Sequence, residues 1–476
     1  MTLKSKRAMV FLAVGLVAGC DFAPRYARPV IQTPAAFKES GLWRAANPRD
    51  DKVRGDWWEL FHDSGLTKLE GQVDGANQNV AAALANFHAA RALVSQARSQ
   101  YFPTISTSPA AALSRQHYLP TAANPVAVPY TGAQYALPVD ASWEVDLWGR
   151  VSNTVKAGSY EAEATLGDLG NVRLTMHAEV ATDYFQIRGL DAQLGLTEAE
   201  VTASEQSLGL TEAQAKSGLA SGQEVDQVAV LLSLVRAQAT DLGIQRALLE
   251  HAIAVLLGQP ASSFIVVAVP GDLAPVSVPA GLPSQLLERR PDVAAAERRV
   301  AVANAQIGVA RAAYFPALGL DASAGFVSAA IGDLLSGPSL VWAVGASLSQ
   351  TLFDGGKRAG VTAQAWALYQ GTVANYRQTV LSAFQSVEDS LSTSRILDVE
   401  IGQQRMAVDA SRDLLDLAQA SYRSGFGAYG DVITAETTWL GNRKAVVSLQ
   451  MEQMTSIVQL IKALGGGWDA QPNKAE

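Results

Sequence analysis

Five histidines, His62, His88, His117, His177 and His251, and one cysteine, Cys20, are the residues of this chain best suited to ligate a metal or attack a substrate. No two histidines share the spacing that puts a pair of imidazoles on one helix face. A nucleophile elbow, a phosphate-binding loop, a dinucleotide fingerprint and a zinc pattern are all missing. Each histidine therefore reads as an ordinary surface or interface residue. The acids Asp140, Glu144 and Asp146 could be taken for paired catalytic carboxylates. They fall on one side of an alternating apolar and polar stretch, however, and are expected to put charge on the lumen side of a strand. The sequence thus predicts no cofactor, no metal site and no enzyme.

The elements that carry these residues are unusual in composition. Only 17% of the chain is charged, while 48% is hydrophobic, which suggests apolar faces buried against lipid or other chains. A net charge of -8 argues against a nucleic-acid partner, which would need clustered basic residues. Residues 1–19 read as a secretory signal: Lys4, Lys6 and Arg7 precede an apolar run from Ala8 to Val17 that is too short to span a bilayer. Val17-Ala18-Gly19-Cys20 fits a bacterial lipobox, so Cys20 is expected to be lipid-modified, leaving no thiol for a disulfide or a metal. The proline-rich stretch that follows predicts an extended strap over 20–60.

The chain is also duplicated. Asn79–Pro103 and Asp292–Pro316 share Val-Ala-Ala-Ala at one end and Tyr-Phe-Pro at the other, 213 residues apart. Beyond them the offset settles at 207: Gly149 matches Gly356, Gly218 matches Gly425, Val225 matches Val432, and Leu257-Gly258 matches Leu464-Gly465. Two similar halves of one body follow, at 61–270 and 271–470, with a short tail at 471–476.

Each half opens with a helix that Tyr-Phe-Pro ends. The period then switches to two. Tyr135, Leu137, Val139, Ala141, Trp143, Val145 and Leu147 alternate with small or acidic residues, as do Leu318 to Phe326 and Leu340 to Leu352 in the second half. These runs reach the length of a membrane-spanning strand and predict hairpins over 103–148 and 316–353. Phe326 and Trp342 sit where an aromatic girdle would lie. Pro138 is the one objection, since proline cannot donate to a ladder. Proline-free runs follow, and they predict helices over Arg150 to Lys216 and Lys357 to Arg423, broken by glycine turns from which a second helix returns.

The run from Gly281 to Pro316, the Leu352-Phe353-Asp354-Gly355-Gly356 motif with its partner Asp146-Leu147-Trp148-Gly149-Arg150, the duplication and the lipobox together resemble the outer membrane factor family, the outer-membrane efflux proteins of tripartite pumps, in its nodulation-type lipoprotein branch. The resemblance implies a mixed α and β membrane protein: a homotrimer with four strands per protomer in one 12-stranded β-barrel, continued by a periplasmic α-helical barrel. It also implies a periplasmic adaptor, an inner-membrane efflux transporter and outer-membrane lipid as partners, and an outer-membrane location reached through the lipid anchor. Within that family the helical turns form an iris. Tyr422 and Asp431 match its gate positions, with Tyr429 beside them, whereas Gly427 stands in place of the gate arginine and Thr434 in place of the second aspartate. From the residues alone, Tyr422 reads equally as a packing knob and Asp431 as a helix N-cap. Gly218, Leu219, Ala220, Ser221, Gly425, Phe426 and Gly427 are the turn residues expected to meet the adaptor. Asp21 departs from the pattern expected next to an outer-membrane lipid anchor. The implied function is a passive exit duct for small molecules such as drugs. The alternatives are a duct for type I protein secretion and a non-conducting, lipid-anchored scaffold, the last of which requires both faces of the strands to be polar.

Overall fold

In the computed structural model, which describes residues 21–32, 34, 37–39, 56–117, 129–269, 276 and 290–466, the duplication reappears as matched helix lengths. Helices α1 (Ser64–Ala76) and α2 (Gln78–Ser99) precede the first strands. Helix α3 (Arg150–Lys216) and its return α4 (Gly222–Leu256) complete the first half. In the second half α5 (Pro291–Ala312) has the 22 residues of α2, α6 (Lys357–Arg423) the 67 of α3, and α7 (Tyr429–Ala463) the 35 of α4. At about 1.5 Å rise per residue, α3 and α6 are each about 100 Å long. Among the described residues no helix is long and apolar enough to cross a membrane. The chain divides into two compact units, and each draws on both halves of the sequence.

One unit, built from Met1–Pro29, Phe87–Ala164 and Ala296–Tyr376, holds all the strands of the described residues. These are β1 (Thr104–Thr107), β2 (Ala110–His117), β3 (Pro129–Val145), β4 (Ala317–Ser328) and β5 (Leu340–Ser349). Both β1 and β2 pair with β3 in one unbroken register, Thr104 opposite Ser142 and His117 opposite Pro129. They are one strand interrupted at Ser108-Pro109, so the sheet has four strands in the order β1/β2, β3, β4, β5, all antiparallel. Cross-strand partners share a face. The register puts Leu137, Val139 and Trp143 of β3 on the same side as Phe326, Ala324 and Leu320 of β4 and Leu340, Trp342 and Ala346 of β5. Ile105 and Leu113 join that apolar face from the far edge. Trp342 and Val344 are 75% and 76% exposed on it. The opposite face carries Ser106, Asp140, Ser142, Asp321, Ser323 and Ser347.

Pro138 proves compatible with this sheet. It lies opposite the break between β1 and β2, where Thr107 donates its hydroxyl to the Pro138 carbonyl at 2.7 Å. On its other side stands Gly325, where a Cβ would fall 2.6 Å from the Pro138 Cα, so only glycine fits there. The acidic trio divides: Asp140 and Glu144 stay on the polar face of β3, and Asp146 does not. Glu144 forms a two-bond ion pair with Arg150 at 2.7 and 2.8 Å. Asp146 lies beyond the strand and accepts the Val151 and Ser152 backbone N–H groups, so it caps α3. Asp354 does the same work for α6 through Gly356 and Arg358. A carboxylate is favoured at a helix start because that end carries the positive end of the dipole, and this attraction outweighs the strand alternation that the sequence suggests. Of the three, Asp140 alone has no such contact among the described residues.

The strap is extended from Asp21 to Pro29 and lies along α3 and α5. Asp21 takes Lys156 at 2.5 Å and Asn153 at 2.9 Å, and the Phe22 ring stacks on Phe315 with centroids 4.2 Å apart. Further on, Asn304 donates to the Pro24 carbonyl and the Tyr26 hydroxyl bonds Glu297.

The second unit, from Val30–Asn86, Thr165–Ala295 and Arg377–Glu476, is helical. The first helical region is divided. A 3-10 turn over Trp57–Phe61 ends at His62 with φ 49°, and Asp63 then caps α1 through Gly65 and Leu66. Small residues let the long helices approach closely: Ala178, Ala181 and Ala383 are fully buried, and a Cβ on Gly189 would meet the Met451 sulfur at 2.7 Å. His177 is not a surface residue. It is buried, with Nδ1 2.6 Å from Glu70 and its ring stacked on Trp58. Burial alone would lower its pKa, but Asp74 and Glu70 raise it to about 9, so the imidazole is held as the cation.

Candidate gate at the helical-hairpin turns

Both turns belong to the helical unit and close in the same way. Gly218 follows α3 with φ +72°, and Gly425 follows α6 with φ +78°, a region open to glycine without a Cβ penalty. Leu219 donates to the Gln214 carbonyl and Gly218 to that of Ala215, and Phe426 and Gly425 repeat the pattern onto Ser421 and Tyr422. This pair of bonds satisfies the last carbonyls of each helix. The residue after such a glycine usually packs back on its own helix. Here it does not, for Leu219 is 80% exposed and Phe426 91% exposed.

The returning helices start differently. Ser221 accepts the Glu224 backbone N–H, and Glu224 reaches back to the Ser221 N–H at 2.6 Å, a complete reciprocal cap for α4. The cap position of α7 is Ala428, which has no side-chain acceptor. Asp431 is therefore not the N-cap residue. It sits three positions inside and takes only the Ala428 N–H, at 3.3 Å, with its side chain exposed.

Tyr422 and Tyr429 come together, their ring centroids 5.1 Å apart, against a small core of Leu415, Val432 and Ala435. The Tyr422 hydroxyl donates to Gln214 at 3.0 Å, which joins the second turn to the helix of the first. Tyr422 is thus both a knob and a polar bridge. Burial raises the Tyr429 pKa against an opposing hydrogen bond from Ser207, with Glu436 and Tyr422 adding to the rise. Beside them Trp439 lies between two cations, Arg412 and Arg443, each 4.9 Å from its ring centroid. The sequence reading missed Gln214, Arg412 and Arg443. The four-residue spacing of Trp439 and Arg443 was a usable signal for one contact, whereas the Gln214 contact joins residues 208 apart and left no local trace. Cys20 lies outside the described residues.

A family model described as outer membrane efflux protein matches residues 71–259 and 282–466. The chain belongs to that family. It is 30% identical to the solvent efflux pump outer membrane protein SrpC of Pseudomonas putida over 98% of this chain and 99% of that one. It is also 30% identical to the outer membrane protein OprJ of Pseudomonas aeruginosa, over 96% and 95% of the two chains. Among solved structures, the outer-membrane channel OprN superposes with a TM-score of 0.86 at 28% identity, covering 94% of this chain and all of that one. The chain is accordingly an outer-membrane efflux channel, its sheet and long helices have the fold of those channels, and its role is transport.

Proposed function

We propose that three copies of the chain close one 12-stranded barrel and that their helices continue it through the periplasm as a passive exit duct. The observation that carries this reading is the four-stranded sheet with an apolar face and two unpaired edges, β1/β2 and β5. In lipid, each unpaired backbone group costs several kcal/mol, so such a sheet is stable there only when further strands close it. The apolar face is also what a scaffold with two polar faces would lack. A periplasmic adaptor meets the turns, where exposed Leu219 and Phe426 stand among Gly218, Ala220, Ser221, Gly425 and Gly427, and an inner-membrane transporter supplies the energy. The cargo is small molecules such as drugs, in keeping with a relative that is named for a solvent efflux pump.

Cys20 carries the lipid, with Asp21 and Phe22 holding the strap beside the start of α3. The anchor is dispensable for pore formation: a Cys20→Ala variant behind a cleavable signal still inserts, and release of the whole population as soluble protein would contradict a spanning sheet. Tyr422, Tyr429 and Asp431 form the constriction. Three converging copies make Asp431 a ring of like charges that attracts cations. The test is electrophoresis with and without heating, together with single-channel recording in planar bilayers. A heat-modifiable trimer that conducts supports the reading, and impairment of small-molecule export on deletion distinguishes it from a protein-secretion duct.

A further inference from the structure

Within the helical unit, the joint between α1 and α3 is a small set of facing charges. Glu70 and Asp74 stand one turn apart on α1, and Arg173 and His177 one turn apart on α3, the spacing that puts each pair on one helix face. His177 Nδ1 lies 2.6 Å from Glu70 Oε2, its Nε2 faces Asp74 Oδ1 at 3.5 Å, and Arg173 Nε reaches the same Asp74 oxygen at 3.3 Å. A neutral imidazole has one N–H and one bare nitrogen, so only the cation offers a proton to both carboxylates. The Asp74 side chain is 56% exposed and reaches solvent, whereas that of Glu70 is 0% exposed and its Oε1 has no hydrogen-bond partner. A buried carboxylate with one oxygen unpaired is tolerated as an anion only beside a cation, and that oxygen can take up a further proton. Other charges are few here. Asp56 lines the small cavity beside His177 together with Asp74 and Arg173, Trp58 covers the imidazole, and Gly465 and Gly466 approach from beyond α7 without charge. On the α2 side Asn79 meets Met176, both neutral.

We propose that Glu70, Asp74, Arg173 and His177 form a proton-operated clasp that fastens α1 to α3, tight in mild acid and loosened in alkali. The ends of α1 are held by other means. Asp63 accepts from Tyr184 and Arg188 of α3 at 2.8 and 2.6 Å, and Asn77 donates to the Leu256 carbonyl of α4 at 2.8 Å. The clasp thus acts on the middle of α1, about 60 Å along α3 from the turn, and is independent of conduction. Burial pushes the Glu70 carboxyl up to about 7 against the pull of His177. Burial alone would lower His177, but Asp74 and Glu70 lift it to about 9. Both groups therefore hold a proton more tightly in the folded protein than in the unfolded chain. The contribution of Glu70 is fully present below its ordinary value of 4.5 and is lost as pH rises to about 7. That of His177 is fully present below 6.5 and is lost as pH rises to about 9. Asp74, which the His177 hydrogen bond holds low, works the other way, but only as pH falls below its ordinary 3.8. Across the interval between strong acid and alkali, each rise in pH loosens the joint.

The test is hydrogen exchange of the full-length protein in detergent, read by mass over residues 64–76 at about pH 5 and about pH 9 and corrected for the chemical exchange rate at each. One unit of pKa shift is a factor of ten in the opening equilibrium, so α1 should be about tenfold or more better protected in acid. Replacing the pair by apolar residues, Glu70→Leu together with His177→Leu, should keep the fold and remove most of this dependence. His177→Gln alone leaves Glu70 as a buried charge beside a neutral amide. It should loosen α1 in neutral and alkaline solution, and acid should restore protection by protonating Glu70, a recovery that loss of packing alone would not show. The proposal is overturned if wild-type α1 is equally protected in acid and alkali, or if the folded double leucine variant keeps the wild-type pH profile. It is equally overturned if acid brings no recovery in His177→Gln.

Discussion

The two helical-hairpin turns are copies of one sequence unit, and they are held by different means. The first is fastened by its own backbone and side chains: a glycine closure behind α3 and the reciprocal cap of Ser221 and Glu224 ahead of α4. The second keeps the glycine closure but loses the cap, because Ala428 takes the place of the serine. What it has instead is packing, with Tyr422 and Tyr429 on Leu415, Val432 and Ala435, and one hydrogen bond to Gln214 of the first turn's helix. A turn fastened locally is indifferent to its neighbours. One fastened through side chains to another helix can be released by moving that helix, and this difference is what supports proposing the second turn as the movable constriction.

The largest effect should come from the packing. Leu415 is 2% exposed, and Leu415→Ala should destabilise the second turn by about 3 kcal/mol while leaving the first intact. Native-state hydrogen exchange resolves the two, and equal loss of protection at both turns would break the comparison. Ser221→Ala should act in the opposite place, fraying the start of α4 by about 1 kcal/mol with no change at residues 422 to 435. Tyr422→Phe removes only the bridge to Gln214. A loss of about 0.5–1 kcal/mol is expected, together with more frequent opening in single-channel records, since the ring still packs. The smallest stability effect belongs to Asp431→Ala, a few tenths of a kcal/mol, because the carboxylate is exposed and holds one N–H. Its effect on divalent-cation block should nevertheless be clear. If Asp431→Ala lowers thermal stability as much as Ser221→Ala and leaves block unchanged, Asp431 is a cap and no part of a charged ring.

Much of this architecture was legible in the chain because it rests on period and punctuation. The strand alternation survives as two chemically distinct faces, and the helices between Arg150 and Lys216 and between Lys357 and Arg423 begin and end where the glycines and the proline-free runs place them. What differs from the sequence expectation has more than one cause. Asp146 was read by its place in an alternating pattern, but the orphan N–H groups of α3 compete for the same carboxylate and win. His177 was read as an ordinary surface or interface residue because its partner Glu70 is 107 residues away. Asp431 follows a turn and so fits a cap in the sequence, whereas the structure puts Ala428 at that position. Periodic features repeat along the chain and can be counted, whereas a contact between distant side chains leaves no spacing to count.

The central claim is that an open four-stranded sheet becomes a conducting barrel by trimerisation. Single-channel recording on the purified, unheated protein in planar bilayers tests it most directly. The account predicts discrete conductance steps from a species that runs as a trimer before heating and as a monomer after it. A protein that stays monomeric and conducts nothing, even with Tyr422→Phe and Asp431→Ala combined to loosen the turns, would contradict it.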